Sequence, residues 1–245
     1  MGILQYAVES NLSTNFENLS EPILPHETQL MAFAFSEPYE SSCENGRMPM
    51  GSSDREFFLV NTQERTNDGL GIRWVTNNAT LDMNVLMHFK KPLLFEIYDG
   101  NLETLPMNVT YTIDENDIVD IVLQNTVALD GKCESHPFHL HGHKVWIHSY
   151  GSGLYNSSMN NSSSTSNPAL RDSVMLYASE YAYFHPNRST LNHRKPCGWT
   201  KIRFISDNPG LWLLHCHIGA HALMGMNVLI KESTEKLSME YFSKQ

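Results

Sequence analysis

Two short segments constrain this chain more than anything else in it. The first is HPFHLHGH, with His136, His139, His141 and His143. The second is HCHIGAHALMGM, with His215, Cys216, His217, His221, Met224 and Met226. Strand side chains alternate between faces. If both segments run as strands, His215 and His217 point one way and Cys216 the other. By the same parity His139 and His141 share a face and His136 takes the opposite one. Side by side, the two strands present four histidines on one face and a His with a Cys on the other. His221 and Met226 lie just past the second strand, where a turn can bring them back to Cys216.

The donor types suggest what such an arrangement holds. Two His, one Cys thiolate and a weak axial Met make the blue-copper electron-transfer set. Zinc, by contrast, takes four good N, S or O donors and gains little from a thioether. The four same-face histidines suit a second copper site built from imidazoles. Cys216 sits between His215 and His217, so one tripeptide joins the two sites through its backbone.

The rest of the chain reads as β. From Arg55 onward, runs rich in Val, Ile, Phe, Tyr and Trp alternate with turn residues: REFFLVNT, GIRWVT, LLFEIYD, DIVDIVLQNT, HKVWIHSY, SVMLYA, TKIRFIS, LWLLHCH and MNVLIK. In TKIRFIS, Ile202 and Phe204 alternate with Lys201 and Arg203, the pattern of a half-buried strand. About eight or nine strands without a long amphipathic helix predict an all-β, Greek-key β-sandwich over residues 55–232. Residues 1–54 read as an irregular N-terminal extension, a linker or the tail of a missing preceding domain. Residues 233–245 read as a tail that a short helix can close, and the polar tract 155–168 as an exposed loop.

Composition narrows the partners. A net charge of −10 argues against nucleic acid, whose phosphates need a basic surface. No apolar run is long enough for a membrane span. Sequons stand at Asn11, Asn18, Asn78, Asn108, Asn156, Asn160, Asn161 and Asn187. They predict a secreted glycoprotein, although the opening residues do not form a signal peptide. The expectation is therefore that the true N-terminus lies upstream. With Cys216 given to metal, Cys43, Cys133 and Cys197 remain, and Cys133 with Cys197 is the expected internal disulfide.

Together with FLVNTQ, DIVDIVLQN and GWTKIRFISDNPG, the two histidine segments resemble the C-terminal copper signatures of the multicopper oxidases, the group of laccases, ascorbate oxidases and ferroxidases. The likeness spans roughly residues 55–232 and implies a sandwich of the cupredoxin type. Position by position it implies type 1 copper at His136, Cys216 and His221 with Met226 axial. It also implies a type 2 ligand at His139 and type 3 ligands at His141, His215 and His217. His143 takes no copper in that family and is expected to be structural. Met224 is expected to pack, and His26, His88, His148, His185 and His193 to be ordinary surface or hydrogen-bonded histidines. Many relatives carry an acidic residue where this chain has Gly219.

The resemblance implies oxidation of a small-molecule reductant, ascorbate or a phenol, at type 1 copper. Electrons then pass to a cluster that reduces O2 to water. The family takes the other half of that cluster's histidines from N-terminal cupredoxin domains bearing two further His-x-His pairs. This chain has no such pairs, so it is expected to build one complete site and half of another, as a fragment or with a partner. A stand-alone blue-copper electron carrier is the alternative. Trp74 stands where ascorbate oxidases carry a tryptophan that stacks on substrate, and a core tryptophan is the equal alternative. A thioether at Met226 favours a lower type 1 potential than Leu or Phe would give. Ferroxidase activity would call for acidic residues near type 1 copper, and the sequence alone places none there.

Overall fold

The apolar runs pair into strands, and the strands stack as two sheets. In the computed structural model of the chain, residues 47–66, 71–81, 107–159, 168–178 and 193–236 are described. All of them fall in the second of two units, Phe35–Gln245. In chain order the elements are β1 (Arg55–Arg65), β2 (Ile72–Thr76), β3 (Thr110–Ile113), β4 (Ile118–Thr126), β5 (His136–Leu140), β6 (Val145–Gly151), β7 (Leu170–Arg171), β8 (Ser173–Leu176), β9 (Pro196–Ile205), β10 (Gly210–Cys216), the helical turn α1 (Gly219–Leu223) and β11 (Asn227–Glu232). One sheet has the order β2-β1-β4-β9-β6-β7 and the other β3-β11-β10-β5-β8. Pairing is antiparallel except between β1 and β4 and between β3 and β11. Crossovers of this kind give the expected all-β sandwich.

The core lies between the sheets and follows the period of two. Val119, Ile121 and Leu123 of β4 and Ile202 and Phe204 of β9 face Phe138, Leu140, Leu214 and Cys216 of the second sheet, all buried. Each of these valine, leucine, isoleucine and phenylalanine side chains contributes about 1.5–3 kcal/mol of hydrophobic stabilisation.

In β9 the alternation is as expected, but the solvent-facing half is not. Lys201 and Arg203 are 4% and 3% exposed. Arg203 grips both oxygens of buried Asp120 at 2.6 and 2.8 Å and donates to the carbonyls of Pro49 and Gly51. Lys201 pairs with Glu56 at 2.7 Å and Asp120 at 2.9 Å. The outer face of the sheet is therefore covered at β9, and the cations there are neutralised in place.

Several other expectations meet the fold. β3 and β7 add to the runs read as strands, and β5 is the strand that the parity argument supposed for the HPFHL segment. After Glu232 comes a three-residue 3-10 helix, Thr234–Lys236, and residues 237–245 of the tail lie outside the described residues. The LLFEIYD run, Cys43, His26, His88, His185 and the sequons at Asn11, Asn18, Asn160, Asn161 and Asn187 lie outside the described residues. Asn78, Asn108 and Asn156 are exposed. Cys133 and Cys197 are joined by a disulfide, as expected.

Candidate metal centre

β5 and β10 are antiparallel neighbours, and their register does the sorting that strand parity anticipates. His215 stands opposite His139, Cys216 opposite Phe138, and Leu214 opposite Leu140. The ladder continues beyond the strand ends, with His141 N donating to Leu213 O and His217 N to Pro137 O. His136 and Cys216 therefore face the core, both without exposed surface, while His139, His141, His215 and His217 stand on the outer side.

After Cys216 the chain turns through α1, which carries His221 back over the strand. Main-chain bonds shut this loop: Met226 N donates to His221 O and Cys216 N to Met226 O, each at 3.0 Å. Gly225 makes the return possible. Its φ is +104°, and a Cβ there would lie 2.1 Å from Thr80 Cγ2. Met226 is completely buried behind the loop, and Met224 packs against the core as expected.

On the inner face, one donor atom from each of His136, Cys216 and His221 falls within 4.8 Å of the others. The two Nδ1 atoms are 3.1 Å apart, and Cys216 Sγ lies 3.9 Å from His136 Nδ1 and 3.7 Å from His221 Nδ1. Burial pushes His136 down to about 3, with a further push from His221, and pushes the Cys216 thiol up to about 11. Burial also lowers His221. Near neutral pH the imidazoles offer lone pairs, and among the described residues no cation stands by the thiol to ionise it. A soft-accepting metal ion supplies that cation, so the donor set and its environment fit a copper ion. Cys216 is the free cysteine among the described residues.

On the outer face the four rings form a cluster. Centroid separations are 5.1 Å for His139–His141 and His141–His215, 5.6 Å for His215–His217, 5.8 Å for His139–His215 and 5.9 Å for His139–His217. His139 Nδ1 donates to Asp172 O at 2.6 Å, and His215 Nδ1 to Cys216 O at 3.0 Å, which leaves each Nε2 lone pair pointing outward. His141 Nε2 and His215 Nε2 meet at 3.1 Å. Burial, with mutual repulsion among the rings, holds His141 below the ordinary histidine range. Burial also lowers His215.

The remaining singled-out residues have definite places. His143 is buried against Phe204 and Trp212, with Nε2 at 2.9 Å from Glu232. That is ion-pair distance, though not aligned as a hydrogen bond. His148 bonds Ser149 Oγ, and His193 bonds Gln63 O. Trp74 is completely buried, its ring 4.7 Å from that of His136 and 5.4 Å from that of His221. It forms the wall behind both histidines, so of the two alternatives for Trp74, core residue or substrate platform, its burial matches the core residue. Gly219 faces open space.

One residue near the inner site escapes the sequence reading. Glu134 places Oε2 at 3.5 Å from His221 Nε2, so an acidic side chain does stand beside this centre. Its signal is faint: it lies two positions before His136, the spacing of side chains on one strand face.

Comparison with known proteins agrees with this geometry. A family profile described as "Multicopper oxidase" matches residues 75–185 and 178–236. An L-ascorbate oxidase of Cucurbita maxima is 33% identical over 210 residues, covering 77% of this chain and 33% of that protein. Laccase-9 of Arabidopsis thaliana is 39% identical over 115 residues, covering 47% of this chain and 16% of that protein. Among solved structures, the laccase from Botrytis aclada superposes with a TM-score of 0.58 at 24% identity, covering 80% of this chain and 31% of the laccase, which is a likeness of fold. The chain spans about a third of the length of the ascorbate oxidases it matches.

Proposed function

The chain belongs to the multicopper oxidase family, and from that premise we propose that it is the electron-accepting domain of a secreted oxidase with ascorbate or a phenol as reductant. The observation that carries this reading is the sharing of one strand by two sites. His136, Cys216 and His221 converge within 4.8 Å on the buried face. His215 and His217, the sequence neighbours of Cys216, belong to the ring cluster on the other face. Copper held by the first three, with Met226 buried behind them, supplies one-electron chemistry when bound.

The chain's own residues do the rest. Trp74 and the core exclude water from His136 and Cys216. His221 reaches nearest to solvent of the three, its side chain 16% exposed, so electrons enter at its ring edge. Cys216 and the peptide bonds on either side give a covalent route to His215 and His217. His139, His141, His215 and His217 hold half of an oxygen-reducing copper cluster. Two further His-x-His pairs, on N-terminal cupredoxin domains or on a partner chain, complete it and allow O2 to be reduced to water. The names of the relatives, L-ascorbate oxidase and laccase, and the thioether at Met226 support the choice of reductant. Exposed sequons at Asn78, Asn108 and Asn156 support secretion and glycosylation.

Substitution Cys216→Ser in the copper-loaded chain tests the assignment. The intense blue thiolate-to-copper absorption should disappear, while copper binding by the outer histidines persists. Survival of the band would refute it. Oxygen consumption should appear only when the complementary His-x-His pairs are supplied. A blue chain that stays inert with them would be the electron carrier instead.

A further inference from the structure

Among the described residues, His221 alone of the two histidines on the inner site has an acidic group facing its far nitrogen. His136 Nε2 is buried without a hydrogen-bond partner. His221 turns Nδ1 toward Cys216 and Nε2 toward the Glu134 carboxylate, 3.5 Å away. Glu134 is not a loosely tethered surface acid. Its neighbour Cys133 is bonded to Cys197 of β9. The Glu134 carbonyl accepts from Nδ2 of fully buried Asn125 at 2.6 Å. Ser135 Oγ accepts from Ala178 N at 3.1 Å, and His136 begins β5. The strap 133–136 is thus fixed residue by residue, and its one acid projects at the ring that lines the electron-accepting edge. The nearby cation Lys132 is paired with Asp130 at 2.6 Å.

We propose that Glu134 is a positioning residue for His221: its carboxylate accepts the Nε2–H, holds the ring in the tautomer whose Nδ1 lone pair faces the metal, and so sets the potential of the site. A metal-bound imidazole that donates its other N–H to a carboxylate is a stronger donor, and loss of such a partner typically costs about 10–100-fold in metal affinity. The stronger donor favours the oxidised ion, so Glu134 keeps the potential low. The disulfide and Asn125 act through this contact, joining the six-stranded sheet to the metal loop.

The role of Glu134 rests on the blue-copper reading of His136, Cys216 and His221, and the test separates the two. The full chain is loaded with copper, and the wild type is compared with Glu134→Gln, Glu134→Ala and the charge control Asp130→Asn. Cu(II) affinity is read by chelator competition and the potential by redox titration of the blue absorption. Both Glu134 variants should stay blue and lose at least ten-fold in Cu(II) affinity. With Cu(I) affinity unchanged, ten-fold corresponds to a rise of about 59 mV in potential. Asp130→Asn should match the wild type. Wild-type affinity and potential in Glu134→Gln would overturn the proposal, as would an equal shift in Asp130→Asn, which would mean that general charge, not the contact, is responsible. A wild type that binds copper without any blue band would sink the underlying reading before a variant is made.

Discussion

Removing the proton acceptor at position 136 should change how the copper-free chain responds to acid. The His136 side chain is buried, and its pKa falls from 6.5 to about 3. In the unfolded chain the ring titrates near 6.5, so between pH 6.5 and 3 the unfolded state binds a proton that the folded state refuses. Stability contributed by the neutral ring is therefore complete above about pH 6.5 and is lost as pH falls toward 3. The gap of about 3.5 units, at roughly 1.36 kcal/mol each, amounts to about 5 kcal/mol. That is a large share of the roughly 5–15 kcal/mol that holds a domain folded. His136→Asn replaces the ring with an amide that does not titrate in this range. Urea unfolding of the metal-free wild type and variant, followed by tryptophan fluorescence at half-unit steps from about pH 4 to 7.5, isolates the effect as a difference of differences. Whatever the substitution costs at the top of that range, the wild-type advantage should shrink by about 1.4 kcal/mol per unit once pH drops below about 6. Parallel stability curves for the two proteins would refute the reasoning, because they would mean that His136 is protonated as easily folded as unfolded.

Two further predictions concern the scaffold. Breaking the Cys133–Cys197 bond, which spans 64 residues, should cost about 4 kcal/mol by loop entropy, measured as the difference between Cys133→Ala/Cys197→Ala and wild type in urea. Gly142→Ala places a Cβ 2.6 Å from the Trp212 ring at a φ of +75°. It should destabilise by about 2–3 kcal/mol and lower copper binding at the outer histidines, while the blue band of the inner site is kept.

Much of this site is legible in the amino-acid sequence because its logic is parity. His139, His141, His215 and His217 share a face for the same reason that Cys216 and His136 share the other: consecutive strand residues alternate. The parity holds as long as β5 and β10 are neighbours in register, and the pairing of His215 with His139 meets the condition. What escapes is whatever depends on what lies over a strand. Lys201 and Arg203 carry the right alternation, but the pattern does not reveal that Asp120, Glu56 and the carbonyls of Pro49 and Gly51 cover them. Trp74 is equally ambiguous in sequence, since a core tryptophan and a substrate platform look alike until its burial against His136 is seen. Glu134 is missed because its importance comes from the return of α1, a three-dimensional coincidence of residues 87 positions apart.

The loop from Cys216 to Met226 is closed by the amide and carbonyl of Met226, not by its thioether. The backbone contacts that shut the loop are ones any residue except proline could make, so loop shape and side-chain identity at this position are separable. With Met226 as the weak axial donor of the proposed blue-copper site, a sequence lineage could exchange it for another apolar residue of similar volume and shift the driving force of electron uptake, without rebuilding the turn that delivers His221. Position 226 is thus a place where the redox setting of the site can drift under selection while its architecture stays unchanged.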